Sequence, residues 1–446
     1  MFTCTLDPLS RETLTDQLYH AFCRGMADGS LPAGKKLPSK RELSEHLGIS
    51  TSTVEAAYGR LIEEGRCESR PRSGIYVLPP EKAVSGIEKE PEIRWDFGTG
   101  AADAERFPYA TWAKLMREVL GEESTTLLRA GDARGSEGLR TELSGLLRRM
   151  RGIEVPPECL VLGAGTEVLV SDLLGLIGRD RLFAVEDPGY PRVRRILASG
   201  GARLMPVPLA GGAPDLRTLY ACGAGALYVT PTHQFPTGTE MDNASRRALL
   251  AWSRETGGIL LEDDYDSEFR FDGENVPAMR AGNERVVYLN TFSRMLAPGL
   301  RMAFMALPEA LAQRYLEQHA ACSVPAFEQE TLRKFIAGGY LERHVARMRT
   351  VYRARLTLLE EEVRRLNLGT LHPCRTGLYA LLEAGGRLPA SQLLPRARRA
   401  GVNLPRVADY YIMQAKPEDR SVLLGFAGMD EDAIRGGLAA LAEAWK

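Results

Sequence analysis

Short apolar runs recur between residues 159 and 308, and stretches with helical periodicity separate most of them. Two of these helical stretches are EVLVSDLLGLI (167–177) and NASRRALLAWSRET (243–256). Strands that are buried on both faces and alternate with helices predict a mainly parallel α/β sheet. The predicted strands are CLVLG (159–163), RLFAVED (181–187), ARLMPVPL (202–209), ALYVTP (226–231), GILLEDD (258–264), VVYLNTFS (286–293) and MAFMALP (302–308).

The pattern changes after about residue 310. Long charged helices are predicted over 326–365, and short strands follow near TGLYALLEA and SVLLGFA. This order predicts a smaller α+β subdomain over about 310–446.

The N-terminal part of the chain has the pattern of a helix-turn-helix unit. An amphipathic helix is predicted over 10–29. Ser39 and Glu42 have the spacing of a capping box at the start of a second helix, Gly48 supplies a turn, and Ser50 caps a third helix. Two strands within CESRPRSGIYVL would form a wing. The predicted core positions are Leu14, Leu18, Ala21, Phe22, Leu43, Leu47, Val54, Tyr58, Leu61 and Ile62.

A linker separates this unit from the rest. The stretch PPEKAVSGIEKEPEIR (79–94) contains three prolines, many charges and few large apolar groups. We therefore expect a winged helix-turn-helix domain over 1–78, a linker over 79–95 and a large domain over 96–446.

Composition narrows the classes of function. Of the 446 residues, 44% are hydrophobic, which excludes a wholly disordered chain. Lys+Arg 57 against Asp+Glu 58 excludes a globally basic nucleic-acid coat, although a local basic patch remains possible. The seven cysteines include no CxxC pair, so neither a zinc site nor a disulfide framework is expected. Without an apolar run of roughly 18 residues or a signal-peptide pattern, we expect a cytoplasmic protein.

Several polar and basic positions of the N-terminal unit are suited to DNA. The core positions of the third helix leave Thr51, Ser52 and Glu55 facing outward at its start, where a recognition helix meets base edges. Basic residues, which can neutralise phosphates, gather around this helix and the wing. A small helical interaction module with a solvated charged rim is the alternative. The basic positions are Lys35, Lys36, Lys40, Arg41, Arg60, Arg66, Arg70 and Arg72.

The segment LPSKRELSEHLGISTSTVEAAYGRLIEEGRCESRPRSGIYV resembles the winged helix-turn-helix of the GntR superfamily. The resemblance implies that a dimer binds a double-stranded DNA operator. Many relatives have arginine where this chain has Thr51, which predicts an altered half-site preference. The implied DNA contacts are Lys40, Arg41, Thr51, Ser52, Thr53, and Arg72 and Gly74 in the wing.

The large domain resembles the aminotransferase-like domain of the MocR/GabR regulators. The resemblance rests on VLGAGTEVLV (161–170), DPGYPRVRR (187–195), YVTPTHQFPTGTEM (228–241), LLEDDYDSEFRFDG (260–273) and YLNTFSRMLAPGLRM (288–302). It implies a fold type I, pyridoxal-phosphate-dependent aminotransferase fold. It also implies a head-to-tail homodimer, in which the DNA reader of one chain lies near the large domain of the other.

The roles of the pocket residues follow from position and from this resemblance. Gly165 and Thr166 end a strand and open a helix, so their N–H groups would face an anion. The resemblance implies a phosphate cup completed by Thr291, Ser293 and Arg301. It further places Tyr190 on the pyridine ring of pyridoxal 5'-phosphate, Asp263 at the ring nitrogen, Tyr265 at the ring hydroxyl, Arg192 at an effector carboxylate, and His233 and Gln234 in the pocket wall.

The acidic run of the third segment has other interpretations. Taken without the neighbouring motifs, its carboxylates could form a metal cluster or only a polar strand end. The acids are Glu262, Asp263, Asp264, Asp266 and Glu268.

The chain departs from the family pattern at two positions, one that binds the cofactor and one that binds the substrate carboxylate. Arg294 occupies the position of the lysine that binds the cofactor covalently, and no lysine lies between Lys114 and Lys334. A guanidinium stays protonated and forms no imine, so transamination should be abolished or nearly so. Leu423 stands where an arginine commonly binds the substrate carboxylate, and nearby Arg420 is in the wrong register.

These observations predict a transcriptional regulator whose large domain senses a small-molecule effector. The effector is pyridoxal 5'-phosphate bound without a covalent link, or another anionic molecule. Two alternatives remain at this stage: an active aminotransferase with an appended DNA reader, and a ligand-free dimerisation scaffold.

Overall fold

The computed structural model describes residue 4 and residues 13–27, 29–63, 66–70, 73–78, 91–122, 125–273, 276–386, 388–413 and 419–446. The chain divides into two compact units, Met1–Glu90 and Pro91–Lys446. The second unit begins inside the predicted linker: the N–H groups of Arg94 and Trp95 both donate to the carbonyl of Gly401.

The N-terminal unit is a three-helix module with a two-stranded antiparallel wing. Its helices are α1 (Leu14–Ala27), α2 (Lys40–Leu47) and α3 (Thr51–Glu63), and its strands are β1 (Cys67–Arg70) and β2 (Gly74–Val77). The predicted caps are confirmed, because Ser39 and Glu42 form a capping box and the Ser50 hydroxyl accepts the Thr53 N–H at 3.1 Å. The core contains Leu18, Phe22, Leu43, Val54, Tyr58 and Leu61.

The second unit is built around a large mixed sheet. Among the described residues, eight strands pair in the order β4-β11-β10-β9-β8-β5-β6-β7, and β5, β6, β8, β9 and β10 run parallel. This confirms the mainly parallel α/β sheet. The strands of this unit are β3 (Trp95–Asp96), β4 (Leu160–Gly163), β5 (Leu182–Asp187), β6 (Arg203–Ala210), β7 (Ala213–Pro214), β8 (Ala226–Val229), β9 (Ile259–Asp263), β10 (Val286–Thr291), β11 (Ala303–Ala306), β12 (Gly369–Leu371), β13 (Tyr379–Ala384), β14 (Val402–Asn403) and β15 (Ser421–Gly425).

Helices cover the sheet and connect its strands. The α-helices are α4 (Tyr109–Gly121), α5 (Glu137–Arg151), α6 (Thr166–Ile177), α7 (Pro191–Ser199), α8 (Leu216–Cys222), α9 (Asn243–Thr256), α10 (Phe292–Met295), α11 (Glu309–Gln318), α12 (Ala326–Ala337), α13 (Tyr340–Arg365), α14 (Ala390–Arg399) and α15 (Glu431–Ala444). Short 3-10 helices span Ala104–Arg106, Thr125–Leu128, Pro157–Cys159, Pro298–Leu300 and Val407–Tyr410.

The C-terminal part forms the smaller α+β region that the sequence predicts. Strands β12, β13 and β15 form an antiparallel sheet, and α13 packs on α15. The start of the unit joins this region, because β3 pairs in parallel with β14. In the described part of the chain, no helix is long and apolar enough to cross a membrane.

Candidate functional site

A cavity of about 200 Å³ lies at the carboxyl ends of β9 and β10. In open α/β sheets, ligands bind at the carboxyl ends of the strands. The structure brings nine of the predicted pocket residues to its wall: Thr166, Tyr190, Arg192, Asp263, Tyr265, Thr291, Ser293, Arg294 and Arg301.

Asp263 lies at the end of β9 and is buried in the cavity wall. The Tyr228 hydroxyl donates to its Oδ2. Its Oδ1 is also buried and has no hydrogen-bond partner among the described residues. Burial raises the pKa of Asp263 to about 7, although the Tyr228 hydrogen bond opposes the shift. This oxygen is therefore available to a donor on a ligand, and the protonated nitrogen of a pyridine ring is such a donor.

Tyr190 and Tyr265 supply aromatic surface to the cavity. Tyr190 precedes α7, and its ring lies edge-on to Phe235, with 5.4 Å between centroids. The Tyr265 hydroxyl donates to the His233 carbonyl at 2.8 Å and lies 3.3 Å from the Tyr379 hydroxyl. These contacts hold the Tyr265 ring in a fixed orientation beside the cavity.

His233 and Gln234 lie behind this wall. His233 is only 2% exposed, its ring stacks on Tyr379, and its Nδ1 lies 2.9 Å from Oδ2 of Asp266. The Gln234 amide donates to the carbonyls of Phe235 and Pro188. The structure therefore places His233 as a support for Tyr265, not on the cavity surface where the effector was expected to meet it.

The end of the cavity nearest α6 has the features of an anion site. Gly165, with φ +99°, precedes α6, and a Cβ there would lie 2.6 Å from Nη2 of Arg301. The positive φ favours glycine here, and the Arg301 side chain would have to shift to admit a larger residue. Thr291 caps α10, where its hydroxyl accepts the Ser293 N–H at 3.1 Å. The start of α6, the Ser293 side chain and the Arg301 guanidinium thus line the same cavity, and such groups are common phosphate ligands. The Gly165 N–H and the Thr291 hydroxyl instead donate to the carbonyls of Gly163 and Met302.

Glu167 also lines the cavity, although the sequence motifs do not single it out. Its Oε1 lies 3.2 Å from Nη1 of Arg192, and its Oε2 lies 3.1 Å from Nη2 of Arg301. The acidic residue in the first turn of a helix was the one available signal, but such residues are common at helix starts. The Glu167 carboxylate therefore bridges Arg192, which the resemblance places at an effector carboxylate, and Arg301, which it places in the phosphate cup.

Arg294 is half-buried at the cavity wall. Its Nη1 lies 3.4 Å from the Ala101 carbonyl. Leu423 is fully buried in an apolar cluster with Phe235, Tyr379 and Val407. Arg420 instead pairs with Glu383 at 2.9 Å.

The other acids of the 262–268 segment bind protein groups. Glu262 accepts the backbone N–H groups of Met279 and Arg280. Asp264 pairs with the buried Arg151 at 2.7 Å. In the part of the chain that the structure describes, no group of three or more His, Cys, Asp and Glu side chains could hold a metal ion.

The start of α3 presents polar groups to solvent. Thr51 and Ser52 are exposed, and the Ser50 hydroxyl lies 2.8 Å from that of Ser52 and 2.7 Å from that of Thr53. This arrangement matches the exposed helix start that the sequence predicts.

Two of the predicted basic DNA contacts form ion pairs within the N-terminal unit. Lys40 forms an ion pair with Glu55 of α3, and Arg41 pairs with Glu45 at 2.9 Å. Gly74 has φ +120°, and a Cβ there would lie 2.7 Å from the Lys36 side chain. Arg72 lies outside the described residues.

Comparisons with known proteins cover both units. The family described as bacterial regulatory proteins, gntR family, matches residues 14–77, and aminotransferase class I and II matches residues 92–440. The uncharacterized HTH-type transcriptional regulator YdeL of Bacillus subtilis (strain 168) is 36% identical over 451 residues, with 97% of each chain covered. The probable rhizopine catabolism regulatory protein MocR of Rhizobium meliloti is 29% identical and covers 96% of this chain and 93% of its own.

The chain belongs to the MocR-type transcriptional regulators. A further relative of this type is the HTH-type pyridoxine biosynthesis transcriptional regulator PdxR of Corynebacterium glutamicum, which is 30% identical, with 98% of this chain and 97% of PdxR covered. The multiple substrate aminotransferase of Thermococcus profundus has the same fold as the large unit, with a TM-score of 0.71, 23% identity, and 82% of this chain and 96% of that chain covered. As a MocR-type regulator, the chain joins a GntR-type DNA-binding unit to a fold type I aminotransferase-like unit.

Proposed function

We propose that this regulator senses pyridoxal 5'-phosphate, or a closely related anionic molecule, without a covalent link and without transaminase turnover. The observation that carries the proposal is the buried Asp263 oxygen without a partner among the described residues, in the same cavity as the anion site at α6. The relative PdxR is named as a transcriptional regulator of pyridoxine biosynthesis, which supports this class of ligand.

The cavity residues divide into those that would hold the phosphate and those that would hold the ring. Thr166, Ser293 and Arg301 would donate to the phosphate. Thr291, whose hydroxyl donates to the Met302 carbonyl and accepts the Ser293 N–H, would position Ser293. Asp263 would accept from the ring nitrogen, Tyr190 would contact the ring face, and Tyr265 would lie at the ring hydroxyl. When bound, the cofactor supplies a cationic ring that can act as an electron sink.

Arg294 favours a sensor over an enzyme. An arginine guanidinium supplies neither a nucleophilic amine nor a base, so it cannot replace the lysine. Leu423, at the position where relatives commonly have a substrate-binding arginine, is uncharged and buried in an apolar cluster, so it supplies no cation to a substrate carboxylate. The ligand is therefore held reversibly and by non-covalent contacts alone.

The proposed output is operator binding by a head-to-tail homodimer. Thr51, Ser52, Thr53 and the wing would contact the DNA, with Lys40 and Arg41 at its phosphates. Ligand binding in the large unit changes operator affinity only if the ligand prefers one of two arrangements of the DNA readers.

The first test is a calorimetric titration of the full-length protein with pyridoxal phosphate, followed by dialysis. We expect binding that dialysis reverses, and at least about tenfold weaker binding by Asp263→Ala, because the ring nitrogen loses its acceptor. Asp432→Asn, which changes an exposed acid in α15, is the control and should bind like the wild type. No binding by the wild type would overturn the proposal, and so would turnover of an amino-acid panel.

Arg294→Lys extends the same test. If the cavity is otherwise suited to the cofactor, the amine of the Arg294→Lys variant should condense with the aldehyde of the cofactor, with loss of water, to form a coloured C=N adduct. Borohydride should then reduce the C=N bond, remove the colour, and leave a mass increase that dialysis does not remove. A colourless variant under excess cofactor would contradict the proposed role of the cavity.

A further inference from the structure

Glu167 lies where an anionic ligand would lie. It is the second residue of α6, and its side chain is 44% exposed at the cavity wall. One carboxylate oxygen meets Arg192 and the other meets Arg301. A phosphate or carboxylate would bind through these same two guanidinium groups.

The position of Glu167 in the helix adds to this effect. The N-terminus of a helix carries a partial positive charge, and an acid in the first turn is stabilised by it. Three positive groups would attract an anion to this site: the N-terminus of α6 and the two arginines. All three already stabilise the Glu167 carboxylate. The protein itself supplies a negative charge to its own anion site.

We propose that the Glu167 carboxylate is a built-in competitor of anionic ligands for Arg192 and Arg301. This inference rests on the proposed function, and it concerns how that cavity selects and releases its ligand. An incoming phosphate either displaces the carboxylate from both arginines or binds beside a like charge, and either event lowers the affinity.

Displacement is feasible because the two ion pairs are partly exposed. The side chain of Arg192 is 57% exposed and that of Arg301 is 48% exposed. Each ion pair this exposed contributes little stabilising free energy. Competition therefore weakens anion binding without abolishing it. It acts only on ligands that carry an anionic group at this end of the cavity, so pyridoxal, which has no phosphate, should not be affected.

The test is a calorimetric comparison of the full-length wild type, Glu167→Gln and Glu317→Gln. Glu317 is an exposed acid on α11 and serves as the matched control. The probes are pyridoxal phosphate, inorganic phosphate and pyridoxal. We expect Glu167→Gln to bind pyridoxal phosphate and inorganic phosphate about tenfold more tightly than the wild type does. Its affinity for pyridoxal should equal that of the wild type. Glu317→Gln should bind all three probes as the wild type does.

The outcomes separate this inference from the proposed function. Unchanged or weaker phosphate binding by Glu167→Gln overturns the inference, even when the wild type binds pyridoxal phosphate as proposed. Failure of the wild type to bind pyridoxal phosphate overturns the proposed function, while the inorganic phosphate titration still decides the role of Glu167. Glu167→Ala, which also removes the carboxylate, provides a second variant in which the same tightening is expected.

Discussion

The carboxyl group of Asp263 lies in surroundings that disfavour its charge. Burial raises its pKa to about 7, and the nearby Asp264 and Asp266 act in the same direction. Burial also raises the pKa of Glu186 to about 7. Keeping such a buried carboxyl group ionised costs free energy. A bound cation or N–H group next to the carboxylate offsets this cost.

The pH dependence of stability tests this environment. The folded-state pKa of Asp263 lies above its unfolded value, so its contribution to stability is fully present below about pH 4 and is lost as the pH rises through about 7. Asp263→Asn removes the ionisable group and keeps an acceptor for Tyr228. Its melting temperature should therefore exceed that of the wild type by roughly 2 °C or more at pH 8, with the difference shrinking toward pH 4.5. Thermal melts across this range provide the measurement, and a difference independent of pH would contradict the assignment.

At the scale of secondary structure, the sequence predicts individual helices and strands better than it predicts contacts between residues that are distant in the chain. Runs such as Leu160–Gly163 and Val286–Thr291 are buried on both faces, so their apolar character is visible in the sequence alone. Glu167 reads as an ordinary first-turn acid, because its partner Arg301 is 134 positions away. His233 sits in a segment that reaches the cavity, but packing turns its ring toward Tyr379.

The capping box of α2 makes a prediction at this scale. The Ser39 hydroxyl accepts the Glu42 N–H at 3.2 Å, and the Ser39 N–H donates to Glu42 at 3.0 Å. Because α2 has only eight residues, Ser39→Ala should destabilise it by about 1 kcal/mol and speed amide exchange there about fivefold. Hydrogen exchange with mass spectrometry on the full chain measures this. Ser391→Ala, in α14, is the control, and unchanged exchange in α2 would show that the cap is not needed.

At the scale of the whole molecule, the chain contains separate hydrophobic cores. The core of the N-terminal unit is formed by residues up to Val77, while the buried clusters of the second unit begin at Phe97. The family matches divide the chain in the same way, with one ending at residue 77 and the other beginning at residue 92. Each unit therefore has the apolar interior that an independently folding domain needs.

This separation predicts that residues 91–446 fold without the DNA reader. The fragment should show a cooperative thermal transition and bind pyridoxal phosphate within about twofold of the full-length affinity, since all the cavity residues lie inside it. Calorimetry of both proteins makes the comparison. An aggregated fragment, or one whose affinity falls tenfold, would show that the first unit completes the site.

The buried Asp263 oxygen, which has no partner in the described parts of the chain, has a consequence for the lifetime of the protein in the cell. A ligand that meets this oxygen lowers the fraction of chains that are unfolded at any moment. Cellular proteases act on that fraction, so occupied chains would be degraded more slowly than empty ones. On the proposed function, the supply of ligand would thus set how many copies of the regulator persist, as well as what each copy does.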